Sequence, residues 1–421
     1  MTAMRDLAHA QALVREALAF RPTPADAVAL ADGLAADRVG LGPLWQLLVG
    51  ANLLPFAGVL LDWHGAGERL EASQAAFLRA STEQNAVRQA VLLRRAAEAT
   101  RRLASQGIEA TWLKGAWISA RIVERPAMRY MEDIDLLVAT AQFDAARSAL
   151  VAMGFERELA ADAVDPRIPS IALRRPDTIP GADGQLRIDL HRGVAASADE
   201  VWDADAFWTS TMPTRIGATT VRVPSPSAGL LIAAVHAFKH GYDTRHRWSA
   251  VADASAIVRA AGSSLDLSWL DDRIDDPRAA IALYLLLGMC ADPADACARD
   301  AVATIRARAT TRVETAGLRA AADRVLHHGQ RLRPITGRDF SLMAIGEQLS
   351  PLAAARRFLS SAARRRRRHA AAAPLASARG GGGGAAGTAF GRLNWRYAYT
   401  TFLVGRLASR CAMTPTRRRD P

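Results

Sequence analysis

The chain has 421 residues, half of them hydrophobic, which places it in the soluble globular class with room for two or three domains and a sizeable core. Its longest nearly unbroken apolar run, "AAIALYLLLGMCA" at 279–291, is 13 residues long. That falls short of the roughly 18 to 20 a membrane span requires, so it reads as a buried helix and no transmembrane segment is expected. The formal charge of +12 sits in a tail: residues 356–421 hold 15 Arg, no Lys and one acid, leaving 39 basic and 41 acidic residues for a nearly neutral body.

Taken in chain order, residues 1–106 are rich in Ala, Leu and Arg with helical periodicity, clearest in "QALVREAL" and "NAVRQAVLLRRAAEATRRLASQG", the latter closing at Gly107 as a helix C-cap. Arg5, Asp6, Arg15 and Glu16 interrupt the N-terminal stretch at helical spacing, unlike a secretory signal, so a cytoplasmic location is expected. The pattern then changes over 107–225. "IEATWL" is a strand, "KGA" a turn, "WISARIV" a short helix, "DIDLLV" a strand, "AQFDAARSALVAMG" a helix, and "SIALRR" and "QLRIDLH" are strands either side of the turn "PGADG". This order predicts an α/β (α+β) fold, a small mixed sheet with helices packed on it. Helical patterns return over 226–355. The segment 356–421 is low-complexity and basic, with "RRRRR" at 364–368, a glycine run and a terminal amphipathic stretch, and is expected to be largely disordered. The three cysteines, Cys290, Cys297 and Cys411, form neither a CxxC pair nor an even framework and read as reduced thiols.

The chemistry concentrates at "EDIDLLV", 132–138. Residues two apart in a strand share a face, so Asp133 and Asp135 stand side by side while Ile134 and Leu136 turn inward. Two like charges so placed call for a cation to hold them. Asp189 in "LRIDLH" is a third carboxylate on a neighbouring strand. Three such acids are what two divalent ions need to bind a nucleoside triphosphate, because hard cations prefer oxygen ligands; the third can also take the proton of an attacking hydroxyl. Upstream, Gly115 in "LKGA" falls at a strand-to-helix turn where backbone N–H groups can approach phosphate. Lys114 sits in the same turn. It is one of two lysines among 54 basic residues, the other being Lys239, and a compact ammonium fits beside phosphate where a guanidinium is too broad.

These residues carry a resemblance. "WLKGAWISARIVERPAMRYMEDIDLLV", with "ALVAMGF" and "RIDLHRGV", is similar to the bacterial uncharacterised nucleotidyltransferases of the DNA polymerase beta-like superfamily over about 108–194, and the likeness extends to "HAFKHGYDTRHRWSAVADASAIV". It implies that Asp133 and Asp135 bind metal, that Asp189 is the third carboxylate and that Gly115 is the phosphate-loop glycine. Ala116 stands where the wider superfamily has Gly or Ser, which shifts triphosphate binding toward Lys114 and Arg129.

Other readings stay open beside these. Asp-x-Asp alone also fits a helix cap or a solvated turn, and Arg129 also fits an ion pair with Glu132. His236 and His240, four apart on one helical face beside Lys239, fit a substrate-pocket wall, a metal pair or ordinary helix packing. His191, read as alternating away from Asp189, is expected to be supporting or structural. The expected activity is Mg²⁺-dependent transfer of NMP from NTP to a hydroxyl or phosphate of an unknown acceptor, with two ions. The rival is an inactive relative that recruits RNA, a membrane surface or a biosynthetic partner, with nucleic acid held by the basic tail.

Overall fold

Local chemistry sets the ends of the first helices. The computed structural model describes residues 2–315 apart from 20–21, 38, 40–41, 158–169, 178, 180–184, 198–199, 204–206, 241–243 and 292–295. Helices α1 (Thr2–Ala17), α2 (Pro24–Ala35), α3 (Pro43–Gly50), α4 (Leu54–Trp63) and α5 (Ala72–Ala104) come first. At α2 the Thr23 hydroxyl accepts from the Asp26 N–H at 3.2 Å while the Asp26 carboxylate accepts the Thr23 N–H at 2.7 Å, a reciprocal cap. Proline opens α2 and α3 and is the second residue of α4, where its missing N–H would have had no helical partner. The 33 residues of α5 extend about 50 Å. The chain leaves it through Gly107 at φ +71°, the left-handed conformation glycine adopts cheaply.

The sheet follows. Its strands are β1 (Thr111–Trp112), β2 (Ile134–Leu137), β3 (Glu156–Arg157), β4 (Ser170–Pro176), β5 (Gln185–His191), β8 (Thr211–Ile216) and β9 (Thr219–Pro224), in the order β3-β4-β5-β2-β1-β9-β8, with β6 (Gly193–Ser197) and β7 (Glu200–Asp203) forming a separate pair. β2 runs parallel to β5 and β1 parallel to β9, while β1–β2, β3–β4, β4–β5 and β8–β9 are antiparallel. The fold is therefore mixed α/β, as the alternation of strand and helix predicts. The β8–β9 hairpin turns at Gly217, φ +59°, and is absent from the sequence reading. Pro213 argues against a strand there, but β8 is an edge strand, where a missing donor is tolerated.

Two further differences concern the site. Helix α6 (Lys114–Trp117) takes in the expected turn and begins at Lys114, then widens into a π turn over Ile118–Ile122. Between β2 and β3 lies α7 (Phe143–Val151). After β9 come α8 (Pro226–Lys239), capped by the Ser225 hydroxyl, α9 (Thr244–Ala261), α10 (Leu267–Ile274), α11 (Pro277–Met289) and α12 (Ala296–Thr315). The apolar run at 279–291 supplies most of α11, and its Ile281, Leu283 and Leu285 are fully buried. Cys290 is buried and free, and burial pushes its thiol up to about 12.

No single helix among the described residues is long and apolar enough to cross a membrane. The bent pair α3 and α4, 112° apart, is apolar enough together, and its Trp45, Leu48 and Leu60 are buried in the core. Residues 316–421, with the basic tail, lie outside the described residues.

Candidate active site

Strand β2 is four residues long and carries an acid through the core. Ile134, Leu136 and Leu137 are fully buried, each stabilising by roughly 1.5–3 kcal/mol, and that gain offsets the burial of Asp135 between them. The segment leading into β2 is held from α5: Asn85 Nδ2 donates to the Ala127 carbonyl at 2.7 Å and Arg88 Nε to the Met131 carbonyl at 2.7 Å. Leu113 N–H donates to the Asp135 carbonyl at 3.1 Å, which docks the start of α6 beside the acids.

The parallel register pairs Asp135 with Asp189 directly across β2 and β5. Asp133 stands two residues before Asp135, and all three acids line one cleft with Lys114, Gly115 and Arg129. Lys114 Nζ lies 2.6 Å and His191 Nε2 2.8 Å from the same Asp135 Oδ1. One carboxylate oxygen from each of Asp135 and Asp189 and a ring nitrogen of His191 lie within 4.8 Å of one another. His191 thus shares the face of Asp189. Strand alternation puts residues two apart together, so the reading of His191 as turned away is corrected.

Arg187, also two residues from Asp189, was missed although the same alternation finds it. Its guanidinium forks onto Asp189, Nε to Oδ1 at 3.0 Å and Nη2 to Oδ2 at 3.3 Å, with Nη1 3.9 Å from Asp133 Oδ2. The electrostatics split the neighbouring acids. Burial, then the charges of Asp135 and Asp189, push the Asp133 carboxyl up to about 7. Burial also opposes ionisation of Asp135, but Lys114 and His191 outweigh it and hold that carboxyl below the usual range. Lys114 is raised, because Asp135, Asp133 and Asp189 together overcome its desolvation.

At the turn Lys114 adopts a left-handed conformation, φ +43°, a strained choice for a side-chain-bearing residue. A Cβ at Gly115 would lie 3.0 Å from Met131 Cγ and Sδ, so this glycine admits the segment before β2. Ala116 is fully buried.

Arg129 pairs with Asp253 of α9, not Glu132: Nε to Oδ1 is 2.6 Å and Nη2 to Oδ2 is 3.0 Å, with Nη1 on the Tyr130 carbonyl. Glu132 instead meets Arg245 at 2.5 Å. On α8, Gly229 lets the helix seat against α6, since a Cβ there would lie 2.1 Å from the Trp117 ring. The same helix face then carries His236 and His240 into the cleft, where His246 of α9 joins them. The Lys239 side chain lies outside the described residues.

A mixed sheet presenting aspartates in register on adjacent parallel strands, at the foot of a cleft closed by helices, is the frame of a nucleotidyltransferase-type domain. The chain belongs to the family described as "Uncharacterised nucleotidyltransferase", which matches residues 38–295, more than half of the sequence and well beyond the stretch in which the resemblance is legible. No curated protein matches it in sequence. Among solved structures, an antigenic nucleotidyltransferase-like protein from Paracoccidioides brasiliensis is similar at 15% identity and a TM-score of 0.32, covering 53% of this chain and 93% of that one.

Proposed function

We propose that the protein transfers a nucleoside monophosphate from a nucleoside triphosphate to a hydroxyl or phosphate of an acceptor, releasing pyrophosphate. The observation that carries this reading is the pairing of Asp135 with Asp189 across parallel strands, with Asp133 beside them. The fit to divalent cations rests on the donor chemistry. The Asp135 and Asp189 carboxylates converge in a cleft that Asp133 also lines, and burial, then repulsion by those two acids, drives Asp133 up to about 7, a strain that hard cations relieve. Asp133, Asp135 and Asp189 would hold Mg²⁺, two ions in this reading, which when bound neutralises charge developing on the α-phosphate and the leaving group.

The chain's own groups do the rest. His191 holds the Asp135 carboxylate in orientation. Lys114 supplies a point charge for the β and γ phosphates beside the α6 backbone at Gly115. Arg129, clamped by Asp253, adds a guanidinium on the same wall. Asp189 orients or deprotonates the acceptor, for which Arg187 must release its fork. The sheet region, 107–225, would be the nucleotide half and the helices of 226–355 the acceptor side. The flanking region 1–106 would brace β2 through α5, and the basic tail, 356–421, would recruit the acceptor, nucleic acid among the candidates. A cytoplasmic setting suits such substrates.

Pyrophosphate release by the full chain, measured with each NTP, Mg²⁺ and fractions of acceptor metabolites, tests the reading. Release that Asp189→Asn abolishes supports it. One observation favours a second reading, an inactive nucleotide-fold binding protein: Arg187 already forks onto Asp189. Nucleotide binding without pyrophosphate release in every fraction, unchanged in Arg187→Gln, would favour that second reading.

A further inference from the structure

We infer that His236, His240 and His246 form a second metal site, one that takes a zinc-class dication and is separate in chemistry from the carboxylates. His236 and His240 are one helical turn apart at the end of α8, and the His240 N–H closes that end on the His236 carbonyl at 3.2 Å. His246 comes from the first turns of α9. The rings gather closely: centroids are 4.7 Å apart for His236 and His240, 5.3 Å for His236 and His246, and 3.9 Å for the stacked pair His240 and His246. A ring nitrogen from each lies within 4.8 Å of those of the other two.

Three imidazoles around one tetrahedral zinc, at about 2.0–2.1 Å each, stand roughly 3.3–3.4 Å apart nitrogen to nitrogen. To aim their nitrogens at one ion the rings turn about their side-chain bonds, and the stacked pair His240 and His246 must open out of its parallel arrangement. The ligand set decides the ion: imidazole nitrogen suits Zn²⁺, Co²⁺, Ni²⁺ or Cu²⁺, whereas carboxylate oxygen suits Mg²⁺. All three histidines line the cleft that holds the acids, so a three-nitrogen site leaves its fourth position for water or for an oxygen of a molecule bound there. Helix packing alone has no need of three polar rings facing one another, two of them only partly buried and one exposed.

The inference stands apart from nucleotidyl transfer, because it is read without nucleotide. The full chain, stripped with chelator, is titrated with Co²⁺ alone. Visible absorption bands of a low-symmetry, tetrahedral-type site are expected, displaced by Zn²⁺ and unaffected by millimolar Mg²⁺. His246→Ala and the gentler His246→Gln should each weaken Co²⁺ binding by at least about tenfold, while Asp135→Asn keeps the bands and circular dichroism confirms folding of all variants. Absence of the bands, bands equal in parent and both His246 variants, or bands lost in Asp135→Asn alone would each overturn the assignment.

Discussion

The two ends of the cleft use different means to bring charged or ligating groups together. At the foot, β2 and β5 lock their residues into register, and each acid is within hydrogen-bond or ion-pair reach of a cation: Asp135 with Lys114, Asp189 and Asp133 with Arg187. At the mouth, α8 and α9 bring His236, His240 and His246 together as rings in contact. Strands fix side chains through a ladder of backbone bonds, so like charges can be held close at a cost the core repays. Helix ends fix only a direction, and the rings settle by packing. The fork between Arg129 and Asp253 joins the two ends, because one partner precedes β2 and the other lies on α9.

Breaking that fork should have the largest effect. Asp253→Ala leaves a largely buried guanidinium without its carboxylate partner and should cost about 3–5 kcal/mol of stability, read as a lower urea midpoint. The paired change Arg129→Met with Asp253→Leu should recover most of it, since both charges leave together. A loss below about 1 kcal/mol for the single variant would mean that the fork does not join the two ends.

Next in size is Asp135→Asn, which should lower pyrophosphate release by about a hundredfold or more and also lower the thermal midpoint, because the amide gives up the ion pair with Lys114 and the charge-assisted contact with His191. It acts on the foot of the cleft, and Co²⁺ binding at the mouth should not change. Lys114→Arg follows. The guanidinium keeps the charge but not the compact 2.6 Å contact to Asp135, and turnover should fall on the order of tenfold. Parent-like turnover would remove Lys114 from phosphate binding. The smallest change in stability is expected for Asp133→Asn in the metal-free protein. Removing one of three crowded charges should raise stability by about 1 kcal/mol, seen as a higher melting temperature, although turnover is lost. A lower melting temperature would show that Asp133 is held by Arg187 more strongly than it is repelled by its neighbours.

Much of the foot of the cleft is legible in sequence because a strand repeats every two residues. Asp133 with Asp135, and Asp189 on a second apolar strand, follow from that period, and the same rule identifies Arg187 and His191 once it is applied along the whole of "LRIDLH". The helical flanks and the closure of α5 at Gly107 are likewise local matters of periodicity and capping. The β8–β9 hairpin was hidden by Pro213, since only its place at the sheet edge makes that proline harmless.

What the chain alone determined, then, is the set of residues that share a face within one element: the acids on their strands and His236 with His240 on α8. Tertiary structure decided which faces meet. The register of β2 against β5, the partnership of Arg129 with Asp253 across 124 residues and the arrival of His246 beside the other two rings depend on how α8 and α9 lie against the sheet. That placement rests on contacts such as the Trp117 ring over Gly229, and long-range packing of this kind leaves no periodic trace in the sequence because neither partner's local conformation requires it.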